Sequence, residues 1–190
     1  MRKFGALLAG ILVLFAVAGC AIDGGQATPT ETGTAPTIDP TLIPTEPPSA
    51  MTVIDATPYA NDFGDYVFKV GNGPTWCTIS PSMNLAICEQ NEIATLYDPP
   101  AVPDTCDSSF GYQVQLWGTV QEDGSPLAFM PCSGGTFSDA THAQVLADGQ
   151  ELQVAPFTCY VKGDTARCDN DLGAWIALGP KVWVLQNPQG

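Results

Sequence analysis

Seven cysteines are the residues of this 190-residue chain whose type and spacing could carry chemistry. An odd number cannot pair completely, so at least one cysteine needs a chemistry of its own. Cys20 is set apart from the other six, which lie between Cys77 and Cys168. It follows the small residues Ala18 and Gly19 at the end of an apolar run. Cys20 is therefore the candidate for separate chemistry, and the other six are candidates for disulfides.

The segment before Cys20 has the features of an export signal. Arg2 and Lys3 supply a positive start, and the apolar run Phe4–Val17 is shorter than the roughly 20 residues of a transmembrane helix. The small residues before Cys20 resemble a bacterial lipobox, which implies a diacylglyceryl group on the Cys20 sulfur and cleavage between Gly19 and Cys20. Two acyl chains anchor a protein stably. The alternatives are an ordinary secretory signal, with Cys20 as a spare thiol, and an uncleaved anchor helix.

The other six cysteines predict three sequential disulfides, because an exported chain folds in an oxidising compartment. A hairpin with the two-residue turn Gly163-Asp164 places Cys159 opposite Cys168. A four-residue loop over 81–84 likewise places Cys77 opposite Cys88, at a spacing that a disulfide accepts. Cys106 and Cys132 then pair by exclusion. There is no C-x-x-C motif, so we expect neither zinc nor a cofactor.

The two hairpins also show a faint internal echo. The residues around Cys77 and Cys88 resemble those around Cys159 and Cys168, and an alanine lies two positions before the second cysteine in both. A duplicated unit and a chance similarity between short strands both account for this pattern.

Other candidates for chemistry are weaker. His142 is the only histidine and there is no G-x-S-x-G motif, so we expect an exposed surface histidine rather than a catalytic one. The 20 acidic residues make a glycosidase-type carboxylate pair conceivable without singling one out. Two further sets of residues each have a structural and a functional interpretation. The acids Asp164, Asp169 and Asp171 could be turn formers or calcium ligands. The tryptophans could be core residues or a platform for sugar rings, and they are Trp76, Trp117, Trp175 and Trp183.

The elements that would position these residues are mostly strands. Short alternating runs between Gly, Pro, Asn and Asp clusters predict strands at 64–70, 75–80, 84–89, 112–120, 126–131, 152–161, 165–169, 174–178 and 181–186. One short helix is expected over Thr141–Leu146. We therefore expect a mostly β fold, a small disulfide-stapled antiparallel domain that is hairpin-rich and sandwich- or barrel-like. The expected domains are a signal at 1–19, a Thr/Pro-rich disordered stalk at 20–57 and a six-cysteine β domain at 58–190.

Charge narrows the class of partner. The formal charge of −14 becomes −16 once Arg2 and Lys3 leave with the signal, because four basic residues then face 20 acidic ones. Such a surface excludes nucleic acid and does not adhere to anionic lipids. Membrane attachment must then come through the lipid on Cys20, which places the domain outside the cell, at the outer face of the bacterial cell membrane. An envelope protein or glycan is the expected partner, and the oligomeric state is open.

The six-cysteine region is similar to a family of exported, mostly actinobacterial lipoproteins and secreted proteins. The matching segments span about 64–186 and include 97–100 before Cys106, 132–136, 145–150 and 166–170. The loop at 70–76 departs from the family pattern. The resemblance implies an exported six-cysteine domain without assigned catalytic residues. Together with the residues above, it predicts a non-catalytic surface binding or interaction module; the alternative is an extracellular hydrolase that acts on cell wall or glycan through acidic residues.

Overall fold

The computed structural model describes Thr41 and residues 51–188. The expected signal, Cys20 and most of the expected stalk lie outside the described residues. By its contacts the chain divides into residues 1–36 and residues 37–190. Within the described part of the chain, no helix has the length and apolar character needed to cross a membrane.

Residues 51–188 form a mostly β domain, as expected, with two short 3-10 helices at Thr57–Tyr59 and Glu92–Ala94. The short runs give short strands because a turn residue ends each one. The strands are β1 (Thr52–Ile54), β2 (Tyr66–Val70), β3 (Trp76–Ser80), β4 (Leu85–Glu89), β5 (Gln113–Trp117), β6 (Ala128–Phe129), β7 (Gln144–Leu146), β8 (Gln150–Val154), β9 (Phe157–Lys162), β10 (Thr165–Asn170), β11 (Trp175–Gly179) and β12 (Val182–Gln186).

The strands form two six-stranded sheets that pack face to face. Sheet 1 has the order β6-β5-β4-β3-β2-β7, and sheet 2 has the order β1-β8-β9-β10-β11-β12. The sandwich agrees with the expected class, but the expectation of a wholly antiparallel domain is wrong. β1 pairs with β8 in parallel, and β7 pairs with β2 in parallel. Parallel neighbours need a crossover connection, which a pattern of hairpins does not reveal.

The two sheets repeat one another. From its parallel edge, each sheet continues as an antiparallel meander of five strands, β2 to β6 in sheet 1 and β8 to β12 in sheet 2. β1 precedes the first meander in the sequence but lies in sheet 2. β7 precedes the second meander but lies in sheet 1. A disulfide joins the second and third meander strands in both sheets. The shared order favours the duplicated unit over chance similarity.

Two of the three disulfides lie in the core between the sheets. Cys77 faces Cys88 and Cys159 faces Cys168 in the strand register, with Cα separations of 4.1 and 4.0 Å. Their four side chains are fully buried. The sulfur atoms of Cys77, Cys88 and Cys168 lie within 4.8 Å of one another, so the two bridges contact each other across the sandwich. The third bridge, Cys106–Cys132, joins two loops. All three expected pairings are confirmed.

Both predicted hairpin turns are present. The β9–β10 turn is Gly163-Asp164, and Gly163 has a φ of 61°, which a two-residue hairpin turn accommodates most easily with glycine. The β3–β4 loop is residues 81–84, and it closes on Asn84 with a φ of 52°. The cysteine spacing therefore predicted both the strand register and the disulfide pairing of these two hairpins.

Three local expectations differ from the structure. The helix expected over Thr141–Leu146 is wrong, because Gln144–Leu146 is β7, whose backbone pairs with the edge of β2 while Leu146 enters the core. The strand expected over 152–161 is two strands, separated by a turn at the cis bond Ala155–Pro156. β1 lies within the range expected to be stalk, so the ordered pairing begins at Thr52 rather than after residue 57.

Candidate functional site

A row of polar and aromatic side chains crosses the outer face of sheet 1. Alternation along each strand places Cys77, Cys88 and Val114 toward the core, so their neighbours point outward. The strand register aligns four of these neighbours side by side: Lys69 with Trp76, Trp76 with Glu89, and Glu89 with Gln113. Trp76, Glu89 and Gln113 are nevertheless buried, with 9%, 3% and 6% of their surfaces exposed. A third layer must therefore cover this part of the sheet.

The covering layer consists of two long loops. Residues 90–112 connect β4 to β5, and residues 130–143 connect β6 to β7. The Cys106–Cys132 disulfide ties these loops together, and the Ser133 amide donates to the Ser109 carbonyl at 2.8 Å. The connection that corresponds to residues 90–112 in the second repeat, β10 to β11, is a short turn, whereas residues 130–143 lead from the first repeat into the second. The third disulfide therefore fastens the long β4–β5 connection of the first repeat to the segment that joins the two repeats.

The first covering loop is anchored by buried polar contacts. The Gln90 amide donates to the Tyr112 carbonyl at 3.0 Å, and the Gln90 side chain accepts from Thr75 and donates to Thr95. The Tyr97 hydroxyl donates to the Gly111 carbonyl at 2.6 Å. Burial raises the pKa of Tyr97 to about 12, so this hydroxyl remains a donor. The loop therefore has a defined position beside the outer-face row.

Glu89 is the centre of the site. Its Oε1 accepts hydrogen bonds from Gln113 Nε2 and from the Phe137 amide, both at 2.7 Å, and its Oε2 accepts from Trp76 Nε1 at 3.1 Å. Phe137 belongs to the second covering loop, which Thr78 also contacts through Ser138. The Glu89 carboxylate thus connects sheet 1 to the second covering loop. A carboxylate can accept several bonds at once, so glutamate suits this position better than glutamine.

Burial raises the pKa of Glu89 above its ordinary value of 4.5, although donors from Phe137, Gln113, Ser138 and Trp76 oppose that shift. The desolvation of a charged carboxylate exceeds what these hydrogen bonds recover. Glu89 is therefore a buried acid. Hydrogen bonds from its neighbours hold the charged form in position, and the desolvation of that form lowers the free energy of unfolding.

The raised pKa gives a pH dependence with a definite sign. The folded state binds the Glu89 proton more tightly than the unfolded state, so the contribution of Glu89 to the free energy of unfolding is greatest below the ordinary pKa of 4.5. It is lost as the pH rises through the raised folded-state pKa. We compare the free energy of unfolding in urea of the wild type and of Glu89→Gln. We expect the wild-type value minus the variant value to decrease between about pH 4 and about pH 8. A difference that grew with pH would contradict the sign of the shift.

A cleft of about 160 Å³ opens beside this row, between the sheet and the two loops. Its lining carries amides, hydroxyls, two carboxylates and two aromatic rings, and it contains no lysine, arginine or histidine. Asn91 and Glu92 form an exposed rim, whereas Glu89 lies at the buried floor. Its residues are Trp76, Glu89, Gln90, Asn91, Glu92, Ser109, Tyr112, Gln113, Ser133, Gly135 and Thr136.

A second cleft, of about 420 Å³, adjoins the first and shares Trp76, Asn91 and Thr136 with it. Lys69 lines its far part, where Lys69 Nζ donates to the Thr141 carbonyl at 2.9 Å. Trp76 therefore lies between the first cleft, which has no basic side chain in its lining, and the second cleft, whose lining has one, Lys69. Together they form an extended trench along the outer face of sheet 1.

The residues that the sequence singled out are distributed over several places. His142 is exposed, as expected, and lines a different hollow near Tyr59. Within residues 51–188 the only close group of three possible metal-ligating side chains is the disulfide-bonded set Cys77, Cys88 and Cys168, and bonded sulfurs are not thiolate ligands. Asp164, Asp169 and Asp171 therefore form no such group. Cys20 and Gly19 lie outside the described residues.

The four tryptophans do not form one platform. Trp76 lies under the covering loops, and Trp117 stacks with Phe129 at a centroid distance of 6.0 Å. Trp175 lies beneath the Arg167 guanidinium at 4.0 Å, and Trp183 packs partly buried against the core. Only Trp76 contributes to the cleft.

Sequence reasoning missed Glu89, Gln90 and Gln113. A signal was present in β4, where Leu85 and Ile87 alternate with the core-facing Ala86 and Cys88. Apolar residues on both faces of a strand indicate that both faces are covered. Glu89 is the last outward-facing residue of that strand, so it is an acid on a buried face. A buried acid needs hydrogen-bond partners in the protein.

The fold and the cleft together define a disulfide-stapled, two-sheet β sandwich with a loop-bordered trench on one outer face. The comparisons with known proteins add no relative to this description: no protein family, no curated protein sequence and no solved structure matches the chain.

Proposed function

We propose that the domain is a non-catalytic binding module for a neutral, hydroxyl-rich glycan, carried on a lipid anchor at the outer face of a bacterial cell membrane. The observation that supports it most is the cleft lined by amides, hydroxyls and carboxylates without a cation. Such groups donate and accept hydrogen bonds in the way that sugar hydroxyls require. Two carboxylates in the lining disfavour phosphate and other anions.

The contacts of Glu89 support binding rather than catalysis. A general acid or nucleophile must direct an oxygen at the substrate. Both oxygens of Glu89 instead accept hydrogen bonds from Trp76, Gln113 and Phe137 of the protein itself. Glu89 thus acts as a clamp that positions the cleft walls, and ligand contacts come from the exposed rim.

The second candidate is a glycan hydrolase, and the acids of the same cleft favour it. Burial raises the pKa of Glu89, which is the property of a general acid, and Glu92 is a second carboxylate in the lining. In such an enzyme Glu89 is the general acid and Glu92 the base. Incubation of the domain with a panel of neutral oligosaccharides separates the two candidates. Binding without new reducing ends supports the module, whereas cleavage that Glu89→Gln abolishes supports the hydrolase.

The binding role is tested with rim variants on a soluble background. Asn91→Ala combined with Glu92→Ala removes two exposed groups from the cleft. We expect an affinity at least about ten times weaker for the bound oligosaccharide, since each lost hydrogen bond to a ligand contributes roughly 1 kcal/mol or more. The matched control, Asn72→Ala with Asp171→Ala, changes the same kinds of exposed residue elsewhere. Equal affinities of both double variants would locate binding outside the cleft.

The proposed anchor rests on the residues around Cys20 and on the resemblance to exported six-cysteine lipoproteins. The three disulfides fit an oxidising compartment outside the cell. We expect the wild type to enter the detergent phase of a Triton X-114 extract of bacterial cells. Cys20→Ser should move to the aqueous phase or remain a precursor that retains residues 1–19, because serine cannot accept the thioether-linked lipid. The neighbouring variant Ala21→Ser serves as the control that keeps the anchor. Detergent partitioning of Cys20→Ser at the mature mass would refute lipidation.

A further inference from the structure

The three disulfides differ in how far solvent reaches them. The four cysteines of the two core bridges are fully buried, each with 0% of its surface exposed. In the third bridge Cys106 is 9% exposed, and Cys132 is one of the exposed residues of its loop. Thiol–disulfide exchange requires a thiolate to reach a sulfur atom, so access decides which bridge reacts. Among the six paired cysteines, Cys132 is therefore the one at which an external thiol can attack the folded domain.

The third disulfide also joins the first covering loop to the second at a point beyond the anchors of the first. Leu96 and Tyr97 hold the first part of that loop through hydrogen bonds of 2.7 and 2.6 Å to backbone carbonyls. Further along, the loop meets the second covering loop at the third disulfide and at the hydrogen bond from the Ser133 amide to the Ser109 carbonyl. The bridge is therefore the covalent part of the contact between the two loops.

The second covering loop has its anchors on one side of the bridge. Its contacts with sheet 1 come from Phe137, Ser138 and Thr141, which follow Cys132 in the sequence. Residues 133–136 lie between the bridge and these anchors, and three of them line the first cleft. Opening of the bridge thus frees one end of a segment that forms a wall of the trench, while Phe137 still holds the other end.

We propose that Cys106–Cys132 is a site of reversible thiol–disulfide exchange, through which an exported dithiol protein controls the covering loops of the trench. The incoming thiolate attacks Cys132 Sγ, forms a mixed disulfide with it and displaces the Cys106 thiolate. The second thiol of the dithiol, as its thiolate, then attacks its own partner sulfur in the mixed disulfide and releases Cys132. The dithiol leaves as a disulfide, and the domain has gained two electrons and two protons as a pair of thiols.

The reduced domain keeps its sandwich, because a reagent reaches the core bridges only when the sandwich opens, which is a rare state of a stable fold. The bridge Cys106–Cys132 closes a ring across a sequence separation of 26 residues. Reduction opens this ring, so both loops gain conformational freedom. The exchange thereby sets whether the trench has fixed walls. Its effect on glycan binding rests on the proposed function, whereas the exchange itself and the release of the loops do not.

The test of access uses the mature chain on the Cys20→Ser background, with dithiothreitol as the dithiol. Samples are quenched with N-ethylmaleimide over time, and peptide mapping identifies the labelled cysteines. We expect Cys106 and Cys132 to become labelled together, at least about one hundred times faster than the four core cysteines. The matched control, Cys106→Ser with Cys132→Ser, should show no fast-labelled cysteine. Simultaneous labelling of all six cysteines, or earlier labelling of the core four, would overturn the proposal.

A monothiol identifies the sulfur that is attacked. Glutathione forms the mixed disulfide but has no second thiol to resolve it, and N-ethylmaleimide then blocks the thiol that is released. We expect glutathione on Cys132 and the maleimide on Cys106, because the thiolate attacks the exposed sulfur. The reverse pattern would contradict attack at Cys132.

Amide hydrogen exchange shows whether reduction releases the loops. The oxidised domain is compared with the domain that has been selectively reduced and alkylated at Cys106 and Cys132. We expect the amides of residues 103–109 and 132–136 to exchange at least about ten times faster after reduction, and those of β4 and β9 to keep their rates. Unchanged exchange in both loops would overturn control of the loops by this bridge. If the loops respond as expected and neither sample binds an oligosaccharide, the proposed function fails and the exchange site stands.

Discussion

Glu89→Ala is expected to lower the free energy of unfolding by about 3 kcal/mol and to abolish ligand binding in the cleft. The substitution leaves Trp76 Nε1, Gln113 Nε2 and the Phe137 amide without their acceptor in a buried place. Each unsatisfied buried donor costs about 1–3 kcal/mol, which water entering the new space partly recovers. The loop that carries Phe137 then loses one of its attachments to sheet 1. Urea unfolding and oligosaccharide titration measure the two effects.

Glu92→Ala is the matched control for this prediction, because Glu92 lines the same cleft but is exposed. It should change stability by less than about 0.5 kcal/mol while still weakening binding. If Glu89→Ala were as stable as Glu92→Ala, Glu89 would not act as a clamp, and the covering loop would be held by other contacts.

Removal of the two core disulfides is the second large effect. The bridges Cys77–Cys88 and Cys159–Cys168 close loops of 12 and 10 residues, for which chain entropy gives about 3 and 2.5 kcal/mol. A domain of this size has a total stability of about 5–15 kcal/mol. We therefore expect the variant with all four cysteines replaced by alanine to lose most of its native structure at 37 °C, as near-UV circular dichroism would show.

The third disulfide provides the comparison. Cys106→Ser with Cys132→Ser removes a bridge between two surface loops rather than within the core. We expect this variant to keep the near-UV spectrum of the sandwich, although with a lower Tm, and to lose affinity because both loops line the cleft. A fold that survives removal of the core bridges but not of the loop bridge would reverse the roles assigned to them.

The sequence predicted the repeated part of the fold well because local rules govern it. Cysteine spacing and a Gly-Asp turn determine the register of a two-stranded hairpin, and the structure has both hairpins with their bridges. The parallel edge strands β1 and β7 were not predictable in this way. Each has three residues and finds its partner far along the chain, so its identity depends on tertiary pairing rather than on its own pattern.

The candidate site was less accessible than the fold for the same reason. Trp76, Glu89 and Gln113 lie on three different strands and meet only through the register of sheet 1. The loops that cover these residues have an irregular conformation, so no periodic pattern of apolar residues in the sequence predicts their position. The alternation in β4 indicated a covered outer face, but it could not indicate which loop covers it or that the cleft has no cation.

The most direct test of the proposed function is an NMR titration of the mature chain on the Cys20→Ser background. Neutral glucans, mannans and galactans are added as oligosaccharides, and the side chain N–H groups of Trp76, Gln113 and Asn91 are followed. These residues line the cleft from its floor to its rim. The proposal predicts saturable shifts at these groups with at least one oligosaccharide and little change at Trp183 on the other sheet. Shifts confined to other surfaces, or none with any of the neutral oligosaccharides, would contradict a glycan-binding cleft.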